Sequence, residues 1–461
     1  MTIVFLAILS ISELIFLFLE LEVAAVIGRI AFVCLCVSMI ASFKIREWAL
    51  GLFAVTLACS LYYKDRDVSN LFYSLDRAAF FAAFIYLVTL LKEAAQRSVS
   101  VLKLGTFMTS QPAGKRFFSL AFGGHIMGVL LNFGAISLLT PLIQRGARAS
   151  IINEPDGEDK IAIVEQQQIS ALIRGFSWMI MWSPTALTQA VLFTAFPGID
   201  LKVVITLGIT SSIVMILIGR AEDRFRWRNK KVNQNLTEMH FPTGPAYRFL
   251  LICLSLVGLT FLLVNLAKVS AAIALMLAAP IIMTLWIFGQ NFKINLAETL
   301  IQTRVALGDI FLGSASVLAR SAFTLGIAGF IGEAAAKLAP VQLLADQLAL
   351  ADIPVWLFLI SLPIIINICG QIAISPILVV VFLSSIINQL PTLPADPNLI
   401  VYALGAGWAL SMSLSPNASA TLLMSGITQI APTTLTWRWN GIYALLCLTV
   451  FSLMFFVLSL W

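Results

Sequence analysis

The chain has 461 residues, of which 60% are hydrophobic and only 11% are charged. Soluble domains carry about 25% charged residues, so this composition excludes a protein whose surface is covered by water. The net charge of +6 indicates basic loops that orient a membrane protein, and no nucleic-acid-binding motif interrupts the apolar segments. We therefore expect the lipid bilayer as a partner and no nucleic acid.

Apolar runs recur along the whole chain, and many reach the roughly 20 residues that a helix needs to cross a bilayer. In chain order they lie near residues 3–19, 23–43, 47–63, 76–95, 165–195, 201–219, 247–266, 269–289, 310–331, 399–430 and 441–460. The sequence thus predicts an all-α polytopic membrane protein with about 11 transmembrane helices.

The segment 220–246 is the most basic loop of the chain, and cytoplasmic loops collect Lys and Arg. Counting the predicted spans back from this loop places the N-terminus in the cytoplasm and the protein in the inner (plasma) membrane. The alternation of basic loops holds only if the apolar stretches 117–143 and 354–390 each enter and leave on the same side.

Those two stretches are predicted to be re-entrant hairpins. Each carries polar residues or glycine in its middle, at 132–134 and at 367–371. A break in a helix leaves backbone groups without partners, so it must be buried in protein or face a cavity. The alternative is an ordinary helix, or a close pair of helices, with a polar kink.

Three short strings recur in the same order in both halves of the chain, which is typical of an internal repeat. The offsets between the copies are 243, 238 and 232 residues. The paired strings are Leu75–Phe80 with Leu318–Phe323, Ala135–Ser137 with Ala373–Ser375, and Ser183–Ala186 with Ser415–Ala418. An odd number of predicted crossings separates equivalent points, so the second copy is inverted, as in many secondary transporters.

This repeat divides the chain into six parts. They are N-terminal scaffold helices at 1–75, repeat 1 at 76–219 (hairpin 117–143, broken helix 165–195), a basic cytoplasmic loop at 220–246, scaffold helices at 247–309, repeat 2 at 310–430 (hairpin 354–390, broken helix 399–430) and a C-terminal helix at 431–461.

A proline interrupts one predicted span in each repeat, within Ser-Pro-Thr-Ala and Ser-Pro-Asn-Ala. Proline removes a helical hydrogen bond, so freed carbonyls could bind a cation while the following helix N-terminus faces an anion. We predict cation ligands at Ser183, Pro184, Ser415, Pro416 and Ser419, and substrate contacts at Thr185 and Asn417. The alternative is a pair of simple kinks packed by neighbouring helices.

The predicted hairpin tips would complete the substrate site, because glycine admits close approach of the backbone and amide side chains can donate or accept hydrogen bonds. The candidate residues are Asn132, Gly134 and Ser137 in the first hairpin, and Asn367, Gly370, Gln371 and Ser375 in the second. Close packing of helices through small residues would explain the glycines equally well.

Arg320 lies in an apolar span, where ionisable residues are costly and often functional. It could pair with a carboxylate of the substrate, with Asp309 or with a backbone carbonyl. His125 lies in the first predicted hairpin and could titrate near neutrality, or it could be a packing residue. No zinc-like spacing of Cys or His occurs, so we expect no metal beyond a possible Na+.

The layout of hairpin followed by broken helix, carried by Ala135-Ile136-Ser137 and Ser183-Pro184-Thr185, resembles the ion transporter superfamily. The nearest branch in layout is that of the divalent anion/sodium symporters, which includes citrate transporters. The resemblance implies an elevator, in which a transport domain moves against a scaffold, and a homodimer. The tips here lack the Ser-Asn-Thr strings of that branch.

The sequence therefore predicts a secondary active transporter for a small organic or inorganic anion, coupled to Na+ or H+ and without a cofactor or enzymatic activity. One alternative is an ion antiporter or anion exporter of the same superfamily, with His125 as the first candidate for an essential titratable residue. Another is an integral-membrane transferase acting on lipid-linked substrates.

Overall fold

The computed structural model describes residues 2–65, 68–151, 157–228, 240–292, 295–313, 315–340 and 353–460. Within these ranges the chain is helical and contains no β-strand. The α-helices are α1 Thr2–Leu19, α2 Glu22–Met39, α3 Ile45–Asp65, α4 Ser69–Gln96, α5 Val99–Thr109, α6 Ala113–Leu131, α7 Phe133–Ile151, α8 Gly157–Met179, α9 Leu187–Ala195, α10 Leu201–Arg226, α11 Thr243–Ala267, α12 Ala271–Asn291, α13 Leu296–Gly313, α14 Ala315–Leu338, α15 Val355–Gln371, α16 Pro376–Ile387, α17 Pro397–Leu414, α18 Ser419–Thr428 and α19 Trp439–Leu458.

Nine spans in the described part of the chain are long and apolar enough to cross a membrane. Helices satisfy their own backbone groups, which is why they can lie in lipid. A tenth span is possible if α13 and α14, which meet at an angle of 55°, cross together. The fold is therefore that of a polytopic α-helical membrane protein, with fewer uninterrupted spans than the predicted 11.

The difference in number arises at two places. The predicted span 165–195 is divided into α8 and α9, and α8 carries too many polar and charged residues to pass as an apolar span. The predicted span 310–331 belongs to the bent pair α13 and α14, whose second candidate segment reaches Leu338. At the predicted broken helix 399–430, α17 and α18 together form one interrupted apolar span, Pro397–Thr428.

Two predicted loops are partly helical. The basic stretch before the first hairpin contains the short helix α5, and α10 continues through the first basic residues of the predicted loop 220–246 to Arg226. The rest of that loop contains residues 229–239, which lie outside the described part of the chain. Basic residues in the last turn are compatible with a helix because they interact favourably with its C-terminal dipole.

Both predicted hairpins are pairs of helices joined by a tight turn. The turn between α6 and α7 is at Asn132, whose φ is 50°, and Ala373 has a φ of 67° between α15 and α16. Asparagine tolerates positive φ better than most residues, which explains the turn at Asn132. The first pair is longer than the predicted 117–143, while the second lies within the predicted 354–390.

The buried centre of the fold is the contact between α4 and α14, the two helices that carry the first pair of repeated strings. A Cβ atom at Gly326 would lie 2.9 Å from the backbone oxygen of Ala78. Only glycine allows so close an approach, and small residues are the usual means of packing helices in membranes. Equivalent helices of the two halves thus meet in the middle of the molecule.

Candidate functional site

Each broken helix is bridged across its break by one side chain. Gln189 Nε2 of α9 donates to the carbonyl of Ile180 at 2.8 Å, and Thr421 Oγ1 of α18 donates to the carbonyl of Met412 at 3.2 Å. Both bridges span nine residues, and donors and acceptors alike are separated by the offset of 232 residues that relates the proline motifs. The side chains thus supply partners to carbonyls that the breaks release.

The first break is tied to the turn of its own helix pair. Thr185 Oγ1 donates to the carbonyl of Val129 in α6, and the hydroxyls of Ser183 and Thr185 are 2.8 Å apart. Because a hydroxyl has one proton, Ser183 must donate to Thr185. These two predicted ligand residues therefore hold the break against α6.

The second break is tied in the same way. Ser415 Oγ donates to the carbonyl of Gly370 at 2.7 Å, and the amide of Asn417 donates to the carbonyls of Gly370 and Gln371 at 3.1 and 3.2 Å. Thr185 and Asn417 hold the same position in the matching strings Ser-Pro-Thr-Ala and Ser-Pro-Asn-Ala. Both donate to a backbone carbonyl of the preceding helix pair, which leaves the Asn417 amide oxygen for other contacts.

A polar side chain from each helix pair also reaches a glycine carbonyl of the broken helix. His125 Nδ1 lies 2.9 Å from the oxygen of Gly175, and Asn367 Nδ2 donates to the oxygen of Gly407 at 3.1 Å. The two glycines are again 232 residues apart. Each broken helix is therefore attached to its own helix pair at two levels.

Both ring nitrogens of His125 are occupied. The indole nitrogen of Trp182 can only donate, and it donates to His125 Nε2 at 2.9 Å. Nδ1 then carries the proton and donates to Gly175. This arrangement holds the imidazole in its neutral form, because a proton on Nε2 would face the indole N–H.

A cavity of about 510 Å³ lies where the two turns and the two breaks meet α3, α4 and α14. Its lining includes three pairs of residues that are related by the 232-residue offset, namely Phe176 with Trp408, Ile180 with Met412, and Leu187 with Ser419. Ligand sites in proteins have volumes of about 300–1,000 Å³. The cavity is thus large enough for a small organic molecule.

Four helices begin at this cavity. Its lining contains Phe133 at the start of α7, Leu187 at the start of α9, Pro376 at the start of α16 and Ser419 at the start of α18. No side chain caps the N-terminus of α9, α16 or α18. The first amide groups of a helix point outward and carry partial positive charge, so helix N-termini attract anions.

The charged residues of the cavity, which we call the charged wall, come from α3, α4 and α14. Arg46 and Glu47 come from the first turn of α3, Lys92 from α4 and Arg320 from α14. Arg320 Nη1 donates to Glu47 Oε1 at 3.0 Å, and Arg320 Nη2 donates to the carbonyl of Ser42 at 3.3 Å. Three cationic side chains and one carboxylate leave this wall with a surplus of positive charge.

The charged partner of Arg320 is Glu47, whereas the sequence suggested Asp309. Asp309 is exposed at the end of α13, and its backbone oxygen accepts from Arg97 Nη2 at 3.4 Å. Arg320 also contacts a backbone carbonyl, that of Ser42, and a backbone carbonyl was one of the partners considered from the sequence.

The cavity gathers only part of the residues predicted from the sequence. Those in its lining are Asn132, Thr185, Ser375, Ser419 and Arg320. Outside the lining are Asp309, which is exposed at the end of α13, and an outer group in the helix pairs and breaks, namely Gly134, Ser137, Asn367, Gly370, Gln371, Asn417, Ser183, Pro184, Ser415, Pro416 and His125. Ser137 donates to its own helix at the carbonyl of Phe133, and Gln371 Oε1 accepts from Trp437. The outer group holds the helix pairs and breaks together.

Sequence reasoning missed the charged wall. Arg46, Glu47 and Lys92 were not considered as site residues. The available signal was that each lies within or beside an apolar run, where charge is unusual and often functional. Phe176 and Trp408 could have been found by aligning the repeats outward from the proline motifs.

The helices, the two helix pairs and the two broken helices define a polytopic membrane fold with an anion-attracting cavity at its centre. No protein-family model and no curated protein sequence matches the chain. Solved structures do. The chain is similar to the YdaH transporter of Alcanivorax borkumensis, with a TM-score of 0.59, 16% identity, and coverage of 90% of this chain and 98% of that one.

A second similar structure is MtrF of Neisseria gonorrhoeae, which is described as illuminating a class of antimetabolite efflux pumps. Its TM-score is 0.55 at 12% identity, and the match covers 91% of this chain and 95% of MtrF. At such low identities the likeness shows the fold. Coverage of nine-tenths of this chain means that the likeness extends over most of the fold.

Proposed function

We propose that the protein is a secondary active transporter for a small organic anion. The observation that carries this proposal is the cavity, whose lining combines four helix N-termini with three cationic side chains and one carboxylate. The helix N-termini and the charged wall both favour negative charge, and both are built from features of this chain. The likeness of the fold to YdaH and MtrF, which are a transporter and a member of a class of efflux pumps, supports the same conclusion.

An organic anion fits this cavity better than an inorganic one. Its lining mixes the charged residues with Phe133, Phe176, Trp408 and aliphatic side chains, and sites for organic ligands combine apolar walls with a few placed polar groups. A phosphate or sulfate ion would leave most of those apolar walls without contact.

Two inverted repeats would place this cavity where the copies meet. Support comes from the central contact of α4 with α14, from the matched bridges across the breaks and from the three equivalent pairs in the lining. The hydrogen bonds between the helix pairs and the broken helices support their movement as one transport domain. The protein would work in this way as a homodimer in the inner membrane, with its N-terminus in the cytoplasm.

Sodium is the coupling ion that the breaks favour. Two buried amide oxygens, Gln189 Oε1 and Asn367 Oδ1, have no hydrogen-bond partner in the described part of the chain. Both lie beside a break or a turn, where carbonyl oxygens are also released. Oxygen atoms of this kind suit a hard cation. His125, in contrast, is neutral and hydrogen-bonded at both ring nitrogens, so it is a poor proton carrier.

Thermal stability of the purified protein tests the proposal. A ligand that binds only the folded state raises stability by about 2.7 kcal/mol at one hundred times its dissociation constant. We expect one or more small carboxylates to raise the melting temperature in sodium buffer and to do so less in choline buffer. Lys92→Gln should remove most of this shift, because Lys92 lines the cavity and its nearest carboxylate, Glu93, is 3.9 Å away.

Lys103→Gln is the matched control, since Lys103 is an exposed basic residue of the neighbouring helix α5. It should bind anions as the wild type does. If no anion changes the melting temperature while lipid-linked sugars do, the proposal is wrong and the transferase alternative gains.

Export is the second candidate for the direction of transport. The likeness to MtrF favours it, because MtrF is described with a class of efflux pumps. Proteoliposomes loaded with the anion distinguish the two directions. A proton-driven exporter would require a titratable residue, so loss of transport in His125→Gln with intact anion binding would favour it over the sodium symporter.

A further inference from the structure

The charged groups of the cavity come from α3, α4 and α14, and one of them is opposite in sign to the rest. Among the described residues of the lining, only Arg46, Glu47, Lys92 and Arg320 are charged. Glu47 is therefore the single negative group in a cavity whose other charges attract anions. A carboxylate in that position needs an explanation, because it lowers the affinity for any anion that enters.

The carboxylate of Glu47 is fixed at both oxygens. Oε2 accepts from the backbone N–H of Lys44 at 2.8 Å, as the acidic residue of a helix-capping box does, and Oε1 accepts from Arg320 Nη1 at 3.0 Å. The residue is 8% exposed. The N-terminus of α3 thus holds this carboxylate at one defined place beside the guanidinium.

Arg320 remains open to the cavity. Its side chain is 39% exposed, and two of its five N–H groups are used by Glu47 and the carbonyl of Ser42. The remaining N–H groups therefore give an entering oxyanion a first point of attachment, from which it can take the place of Glu47. The planar fork of the guanidinium matches a carboxylate at two points, which a spherical ion cannot reproduce.

We infer that Glu47 is a resident counter-ion of Arg320, which the acid group of the transported anion displaces, so that this ion pair selects oxyanions over halides. The inference rests on the proposed function. Glu47 occupies Arg320 when the cavity is empty. An entering anion gains only the difference between its own contacts and those of Glu47, so a weakly bonding halide is rejected while a carboxylate binds reversibly.

Arg77 provides a control within the same chain. It occupies the position equivalent to Arg320 in the first repeat. It is absent from the lining of the cavity, and its guanidinium donates to the hydroxyl of Tyr73 at 2.7 Å. A change at Arg77 removes one arginine from the equivalent helix without altering the charged wall.

The experiment measures thermal stability of the purified full chain against sodium succinate and sodium citrate, with sodium chloride as the halide. For Glu47→Gln we expect the concentration of half-maximal shift to fall about tenfold, which corresponds to 1.4 kcal/mol. We also expect chloride to become a ligand. Arg320→Gln should lose most of the carboxylate shift, the double variant should behave as Arg320→Gln does, and Arg77→Gln should match the wild type.

Arg320→Lys covers the case in which Glu47→Gln does not fold. It keeps the ion pair but loses the planar fork, so carboxylates should bind about tenfold more weakly while chloride is affected less. A Glu47→Gln protein with a lower melting temperature but unchanged affinity and selectivity would overturn the inference, because the ion pair would then only join α3 to α14. A wild type that responds to none of these anions would overturn the proposed function itself.

Discussion

The two broken helices have the same bridges across their breaks, but their attachments to neighbouring helices, here called anchors, differ. In the first half, Arg174 of α8 is buried among α10 and α19, where Nη1 lies 2.7 Å from Glu222 and Nε donates to Asn440 at 2.8 Å. The equivalent residue in the second half is Ala406, which is fully buried without any polar contact. The two broken helices therefore share their bridges but differ in the contacts that attach them to neighbouring helices.

The first anchor is also shared with another arginine. Arg226 Nε lies 2.8 Å from the second oxygen of Glu222, and Arg174 lies over the ring of Tyr443 at 4.4 Å. A buried charge without a partner is expensive, so this cluster must stay complete. The first broken helix is thereby bound to α10 and α19, whereas the second relies on apolar packing.

The largest expected effect comes from removing this anchor. Arg174→Met should lower the free energy of unfolding by about 3 kcal/mol, at the lower end for a broken buried ion pair because Arg226 still contacts Glu222. Thermal unfolding in detergent measures the loss. Arg224→Met, on the exposed side of α10, is the control and should change stability little. Equal losses in both variants would contradict the difference between the two halves.

The second effect concerns the equivalent glycines. A Cβ atom at Gly175 would lie 1.9 Å from the backbone oxygen of Ala121, whereas one at Gly407 would meet the side chain of Ile366 at 2.6 Å and Pro363 Cα at 2.8 Å. Overpacking costs about 1–3 kcal/mol, and a rigid backbone cannot yield as a side chain can. We expect Gly175→Ala to lower the melting temperature more than Gly407→Ala, and Gly258→Ala, with open space around it, to leave it unchanged.

The smallest expected effect tests whether the bridges across the two breaks contribute equally to stability. Gln189→Met and Thr421→Val each remove one bridge across a break, and each should cost about 1 kcal/mol. Thr449→Val, which removes a hydrogen bond inside α19 to the carbonyl of Leu445, serves as the control and should cost less, because Thr449 is exposed. A loss of stability in only one of these two variants would show that the two bridges contribute unequally to stability.

Much of the fold could be predicted because its cause is local. Long apolar runs specify helices, Asn132 specifies a turn, and the prolines 184 and 416 specify breaks. The short helix α5 was missed because its Lys103 and its length suggested a loop. The break between α8 and α9 falls within the predicted broken helix 165–195. The failure of α8 to qualify as an apolar span was missed, because its polar residues were taken as part of a transmembrane segment.

The candidate site could be predicted only in part. The motifs indicated the right turns and breaks, but most of the motif residues hold helices to one another instead of facing the cavity. Glu47 and Arg320 are 273 residues apart, and no local pattern relates them. A pairing of that kind is decided by how α3 packs against α14, which the spacing of apolar residues does not encode.

The surplus of positive charge on the charged wall has an electrical consequence. Arg46, Lys92 and Arg320 outnumber Glu47 by two, and a charge that crosses the full membrane field does work of about 2.3 kcal/mol per 100 mV. A divalent anion would cancel the surplus, and a monovalent one would halve it. We therefore expect membrane voltage to act differently on the empty and the loaded protein, so that the current it carries reports the valence of its cargo.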